Sequence, residues 1–454
     1  MSTENLQHTS NSQPGRDGSF PDVFINSWAV KIRGGLDDAD ALASRYGFHN
    51  LGLVQGFDDV YQFRLGGREM QKVRSDSPYT SSIASDKLVE FAEQQFRRQV
   101  VTKSTCVPPE DSAFMKQWNL LNTGQYKGMY KGNDLRVVPA WLQGYTGCNV
   151  TVTVVDDGID FKHPALWPNF APMVSYDHHD NDSDPSTYDH KHGTSVSGIV
   201  GAAKNSTCGI GIAYECNLGS VKLLNGKEGR TDVEEATALS HEQSIVDIYS
   251  NSWGPPDTGY TVMGPRTLTK LALEKGIAQG RNGKGSIYVW ASGNGRDEDD
   301  CAADGYVSSI YTIAVGAIAV DGRPSGIDER CSGKMVVAYV TNPQKHSAIR
   351  TTCPGGKCRD DFGGTSAAAP QVSGAIALAL EANPSLTWRD VQYLIVYTAN
   401  PHLTAGPLTR NGAGLAVSRQ YGFGVMDAEA MVTRARHWIN VPPQREDIVN
   451  TVSQ

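Results

Sequence analysis

An α/β fold, with a parallel sheet carrying helices on both faces, is predicted for most of the chain on three observations. Short apolar runs alternate with helical patterns: Val150–Val155, Val196–Ala203, Leu218–Leu223, Pro265–Gln279, Ile287–Trp290 and Ile310–Ala317. Such alternation implies crossover connections between parallel strands. Hydrophobic content of 39% with 47 glycines fits a globular chain rich in turns. A length of 454 residues allows two or more domains with sizeable cores.

The elements follow in order. Residues 1–22 are polar and read as a disordered tail. They lack the apolar core of a signal peptide. Residues 23–103 read as a small α/β domain. Trp28–Ile32 alternates like a strand, Asp37–Tyr46 suits a helix, and Leu51–Val54 and Val60–Phe63 are further strands. Glu69–Asp86 is aperiodic and is expected to be a loop. Ser85–Arg98 is expected to be a helix with Leu88, Phe91, Ala92 and Gln95 on one face. The large domain spans residues 104–440, and residues 441–454 form a C-terminal tail.

Composition narrows the function classes. A net charge of -8 argues against nucleic acid as a partner and mildly favours basic ligands. No apolar run is long enough to cross a membrane. The eight cysteines are an even count, which is weak evidence for disulfides. Asn149-Val-Thr151, Asn181-Asp-Ser183 and Asn205-Ser-Thr207 fit the N-glycosylation pattern.

Four stretches carry the chemistry. In Gly363-Gly-Thr-Ser366-Ala-Ala-Ala-Pro370 the glycines permit a tight turn, and an apolar helix over Ala367–Ala382 follows. Ser366 at that helix end either caps it or serves as a nucleophile beside the positive end of the helix dipole. The strand Val152–Val155 ends in Asp156-Asp157-Gly158, and Asp189-His-Lys-His192-Gly193 leads into the next helical segment. Val289-Trp-Ala-Ser-Gly-Asn294-Gly295 brings an amide, the group needed to donate to a developing oxyanion, to the end of another strand. Each alone has a structural reading as a turn or cap. Together they give Asp156, His192 and Ser366 in the chain order Asp, His, Ser, which is that of subtilisin-type triads. His190 is taken as non-catalytic.

With these residues in place, the chain resembles the kexin/furin-type proprotein convertases of the subtilisin superfamily over roughly Phe24 to Trp438. The likeness includes Ser252-Trp-Gly-Pro255, Gly285–Gly295, Asp304-Gly-Tyr306 and Leu386-Thr-Trp-Arg-Asp390. The resemblance implies a calcium-dependent serine endopeptidase, made as a zymogen, that cleaves protein precursors after paired or single basic residues. It implies that residues 23–103 are an inhibitory prodomain. The junction by spacing is Lys103 in Val100-Val-Thr-Lys103, with Arg97-Arg98 as the alternative; relatives have a multibasic run there. Lys72-Val-Arg74 falls where such prodomains carry a second cleavage site. The resemblance pairs Cys208 with Cys358 and Cys301 with Cys331, and leaves Cys106, Cys148, Cys216 and Cys353 open.

Carboxylates suit pockets for basic side chains. By resemblance, Asp257 and Asp304 line the first pocket, Asp157 and Asp189 the second, and Glu235, near Asp232, part of the fourth. The other acid expected in the fourth pocket is Met263 here. Asp257, Asp299 and Glu329 match one calcium site, and hard oxygen ligands in loops suit that ion. Asp111 matches one ligand of a second site, where an expected acid is Ala165. The implied setting is the secretory pathway, with the targeting segment missing, and the implied state is a monomer. A β-rich domain that convertases carry after this point is also absent. Two rivals remain, a catalytically impaired binding or chaperone-like protein and a broad-specificity subtilisin.

Overall fold

The computed structural model describes residues 23–54, 56–66, 78–97, 113–126, 130–187, 190–204, 207–225, 229–341 and 348–444. The chain divides into two compact units, Met1–Lys103 and Ser104–Gln454.

In the first unit the elements are β1 (Val23–Ile32), α1 (Leu36–Arg45), β2 (Phe48–Leu53), β3 (Val60–Leu65), α2 (Pro78–Ala84) and β4 (Val89–Arg97). The strands form an antiparallel sheet in the order β2-β3-β1-β4. Trp28, Val30, Phe48 and Phe63 pack with Ala39 and Leu42 of α1 and Ile83 of α2. Trp28 also donates its indole N–H to Thr80 at 2.8 Å.

Two expectations are corrected here. The helix expected over Ser85–Arg98 is instead largely strand β4, and α2 lies inside the expected loop. The helical reading would have buried Phe91, which is 43% exposed, whereas Gln94 is buried and donates to the Ile25 carbonyl. Pairing with β1, from Val23↔Arg97 to Ile32↔Val89, overrides the local preference of the Glu- and Gln-rich run.

The second unit continues with α3 (Val137–Leu142), β5 (Thr151–Asp156), β6 (Tyr176–Asp177), α4 (His192–Gly201), β7 (Asn217–Lys222), α5 (Asp232–Leu239), β8 (Ile248–Asn251), α6 (Thr267–Gly283), β9 (Ile287–Ala291), β10 (Thr312–Ala319), β11 (Lys334–Thr341), β12 (Ile349–Cys353), β13 (Lys357–Phe362), α7 (Thr365–Ala382), α8 (Trp388–Thr398) and α9 (Ala428–Ala435). Seven strands form a parallel sheet in the order β11-β10-β9-β8-β5-β7-β6. Every residue of β5, β8, β9 and β10 is buried, as expected of a sheet covered on both faces. Val152 and Val154 face one core with Val196 of α4 and Ala375 of α7. Val155, Tyr249 and Trp290 face a second core with Leu239 of α5 and Leu273 of α6.

This topology positions the site. The order places β7 on one side of β5 and β8 on the other, a topological switch point with its crevice at the carboxyl ends of the strands. Asp156 ends β5, and Asn294 follows β9 by a short turn. Disulfides join Cys208 to Cys358 and Cys301 to Cys331. Cys148, Cys216 and Cys353 are free thiols; Cys106 lies outside the described residues. Among the described residues no helix is long and apolar enough to cross a membrane. Lys103, Asp111, Asp189, Asn205 and the expected N-terminal tail also lie outside them.

Candidate active site

Asp156 is fully buried, because β5 delivers it to the sheet's carboxyl edge beneath α4. Both its carboxylate oxygens lie against His192 Nδ1, at 2.9 and 3.0 Å. In the neutral ring a donating Nδ1–H fixes the tautomer and places the lone pair on Nε2. Burial acts to lower the His192 pKa, but Asp156, by charge and hydrogen bond, and then Asp157 push it up to about 9.

Asp157, expected in the second pocket, is also tied to the start of α4. Its carboxylate accepts the backbone N–H groups of His192 at 3.1 Å and Gly193 at 2.6 Å, which anchors the first turn of α4. Burial and the Asp156 charge raise its pKa to about 6. Gly193 is required there, since a Cβ would stand 2.3 Å from the Gly158 carbonyl.

Ser366 is the second residue of α7, and the residue that caps this helix is Gly364, at φ 77°. The Ser366 hydroxyl makes no capping bond; it donates to the Ser252 carbonyl at 3.3 Å. Of its two sequence readings, the cap is therefore removed. Asn294 accepts the Thr365 N–H through Oδ1 at 2.9 Å, which leaves its amide NH2 free to donate. Thr365 also ties its hydroxyl to Gly293. The turn that carries Ser366 and the loop that carries Asn294 are thus stitched together by Thr365, a residue the sequence does not single out.

A pocket of about 200 Å³ opens beside Ser366, lined by Ser252–Asp257, Ala291, Gly293, Asn294, Asp304 and Thr365. It brings Asp257 and Asp304 to the pocket that Ser366 also lines. Asp304 Oδ1 accepts the N–H groups of Tyr306 at 2.7 Å and Val307 at 3.3 Å. Burial, and less strongly the Asp257 charge, raises its pKa to about 7. Glu235 is not part of this lining. It accepts the Tyr306 hydroxyl, and the Tyr306 ring stacks on Trp290 at 4.7 Å. Met263 bridges to Asp304 through the backbone and is 54% exposed.

Behind the pocket, Asp257, Asp299 and Glu329 each offer a carboxylate oxygen within 4.8 Å of the others. Burial pushes Glu329 up to about 7 and raises Asp257. Three converging carboxylates, with Glu329 and Asp257 raised chiefly by burial, fit a hard divalent cation. The same carboxylates organise the loop around them: Asp257 accepts the Asn294 N–H and Glu329 the Gly295 N–H, both at 2.8 Å. A buried ion pair supports them from below. Lys334 Nζ reaches Asp328 Oδ2 at 2.7 Å and also bonds the Glu329 carbonyl. Sequence reasoning missed this pair, although a lysine opening the apolar run Met335–Val340 was a signal for a buried partner.

Residues 147–424 match the Subtilase family, and residues 27–100 match the Peptidase S8 pro-domain. Curated relatives include Furin-1 of Xenopus laevis, 43% identical over 95% of this chain and 55% of that protein. Human Furin is 41% identical over 96% of this chain and 55% of that protein. Human Proprotein convertase subtilisin/kexin type 5 is 42% identical over 95% of this chain but 24% of its own length. The chain thus spans about half the length of the furins it matches. A crystal structure of a serine protease of Aeromonas sobria shares the fold at a TM-score of 0.67, with 24% identity, covering 76% of this chain and 71% of that one. Since the family match spans most of the parallel sheet and includes Asp156, His192, Asn294 and Ser366, the chain belongs to the subtilase family.

Proposed function

We propose that this chain is a calcium-dependent serine endopeptidase that processes protein precursors after basic residues. The observation that carries the reading is the pocket in which Ser366, Asn294, Asp257 and Asp304 meet. Ser366 Oγ attacks the scissile carbonyl while His192 Nε2 takes its proton. Asn294 donates to the oxyanion, and His192 then protonates the leaving amine. Water, activated by His192, releases the acyl group. Asp156 holds the imidazole and stabilises it when charged. Asp257 and Asp304 receive the basic side chain on the acyl side. The subtilisin-type order and the relatives support this assignment of roles.

Calcium would be held by Asp257, Asp299 and Glu329, where its charge offsets three carboxylates. Asp257 belongs to both the ion's cluster and the pocket, so cation occupancy and pocket shape are linked through one residue. The sign of the pH effect follows. Glu329 and Asp257 have folded-state pKa values raised above the unfolded ones. Without a cation they destabilise the fold as pH rises through that range, and only their ionised forms bind the ion. Calcium at a hundredfold excess over its Kd is expected to stabilise by about 2.7 kcal/mol, or about 3–4 °C in Tm. The shift is expected to be larger at pH 8 than at pH 5.5; an equal shift at both pH values would count against this site.

The unit Met1–Lys103 acts as the prodomain and inhibitor, released at Lys103, and the setting is the secretory pathway, where the disulfides persist. A panel of peptides varying the first and fourth positions before the cut tests the specificity. Arg at the first position is expected to exceed Leu by at least about a hundredfold in kcat/KM; equal rates would favour a broad-specificity protease. Met263→Asp is expected to raise the preference for Arg at the fourth position several-fold, and no change would refute a role for Met263 there.

A further inference from the structure

The hairpin of β12 and β13 ends at Phe362, four residues before Ser366. Phe362 is 5% exposed, and its ring meets the His192 imidazole at 5.4 Å between centroids, inclined at 65°. The Arg359 guanidinium lies 5.2 Å from the centroid of the same ring, with Nε bonded to Asp361 at 2.7 Å. The hairpin is fastened to α4, the helix that His192 begins. Thr351 and Thr352 donate their hydroxyls to the carbonyls of Ser195 and Thr194, at 2.7 and 2.6 Å. Ser195 returns a hydroxyl bond to the Thr352 carbonyl at 2.9 Å. Gly198 lets the two backbones approach, since a Cβ there would stand 2.2 Å from Thr352 Oγ1. The disulfide from Cys358 to Cys208 ties the hairpin to the segment after α4.

We propose that Phe362 is a positioning residue for His192, and that Arg359, seated on the Phe362 ring, brings a like charge to bear on the imidazole. Asp156 holds only the edge of the imidazole that carries Nδ1. Phe362 supplies an apolar wall against the ring and keeps water from that contact. Because the hairpin is bonded to α4 and runs directly into the turn before Ser366, one β-ribbon constrains the placement of both residues. Placement errors near 1 Å at a reacting group cost about a hundredfold in rate. The charges acting on the imidazole are Asp156 and Asp157 from the end of β5 and Arg359 from β13. Lys191, the preceding residue, acts on Asp361, and the first turn of α7 carries no charge.

This proposal rests on His192 being the general base. The test is steady-state kinetics against pH on the full chain with a short chromogenic Arg substrate. Phe362→Ala is expected to lower the plateau kcat about tenfold with KM within twofold, and Phe362→Tyr to recover most of it. Arg359→Gln removes a like charge, so the imidazole pKa rises. The acidic limb of kcat/KM is expected to move up by about 0.3 to 0.5 pH unit, less in 1 M salt. A Phe362→Ala protein with lowered Tm but unchanged kcat, or an Arg359→Gln protein with an unmoved limb, would overturn the proposal. Survival of activity in His192→Ala would instead sink the underlying assignment of the base.

Discussion

Ser366→Ala is expected to lower kcat by about a millionfold, the scale of losing the nucleophile in a comparable triad. The structure gives reasons to expect a clean result. The Ser366 hydroxyl makes one long bond, to the Ser252 carbonyl, and caps nothing, so its removal leaves α7 intact. The fold and Tm are expected to be nearly unchanged. His192→Ala is expected to cost about as much, and the double variant no more than either alone, because the two act as a unit. Intact mass gives a second readout. With calcium, the parent chain is expected to lose its first 103 residues, and the Ser366→Ala chain to stay whole. If both chains stay whole and neither turns over peptide, the binding-protein reading takes precedence. If Ser366→Ala retains activity, the nucleophile has been misassigned.

The parallel sheet was legible because burial on both faces writes strands as unbroken apolar runs. β9 and β10 are nearly pure Val, Ile, Ala and aromatic sequence. The candidate site residues could be singled out because each lies where a run ends in a turn, as Asp156 does before Gly158. What failed depended on partners distant in sequence. β4 has the composition of a helix, and only the ladder offered by β1 makes it a strand. The bonds that Asp157 accepts from the N–H groups of His192 and Gly193, more than thirty residues away, were likewise not legible. Phe362 was not singled out, because only the fold sets its ring on His192. No local pattern encodes such meetings, because they depend on how the sheet orders its strands.

That dependence is sharpest at Asp304, where the second large effect is expected. Asp304→Asn is expected to lower kcat/KM for an Arg substrate by about a hundred- to a thousandfold, within the range for breaking a buried, hydrogen-bonded charge pair. A Leu substrate is expected to lose far less. The substitution is close to isosteric, and Asn keeps an Oδ1 acceptor for the Tyr306 and Val307 N–H groups that hold this loop. Any loss therefore reports charge rather than collapse. The pH dependence adds an independent check. Burial holds Asp304 near a pKa of about 7 in the free protein, above its unfolded value. Only the ionised carboxylate attracts a guanidinium, so affinity for Arg is expected to weaken as pH falls through 7. In the Asn variant that component of the pH profile should vanish, while the limb set by His192 remains. Equal losses for Arg and Leu would show that Asp304 shapes the pocket rather than reads the charge. The pocket would then discriminate through Asp257 alone, the carboxylate it shares with the metal cluster. Selectivity for Arg would in that case rise and fall with calcium, which the same assay in chelator would reveal.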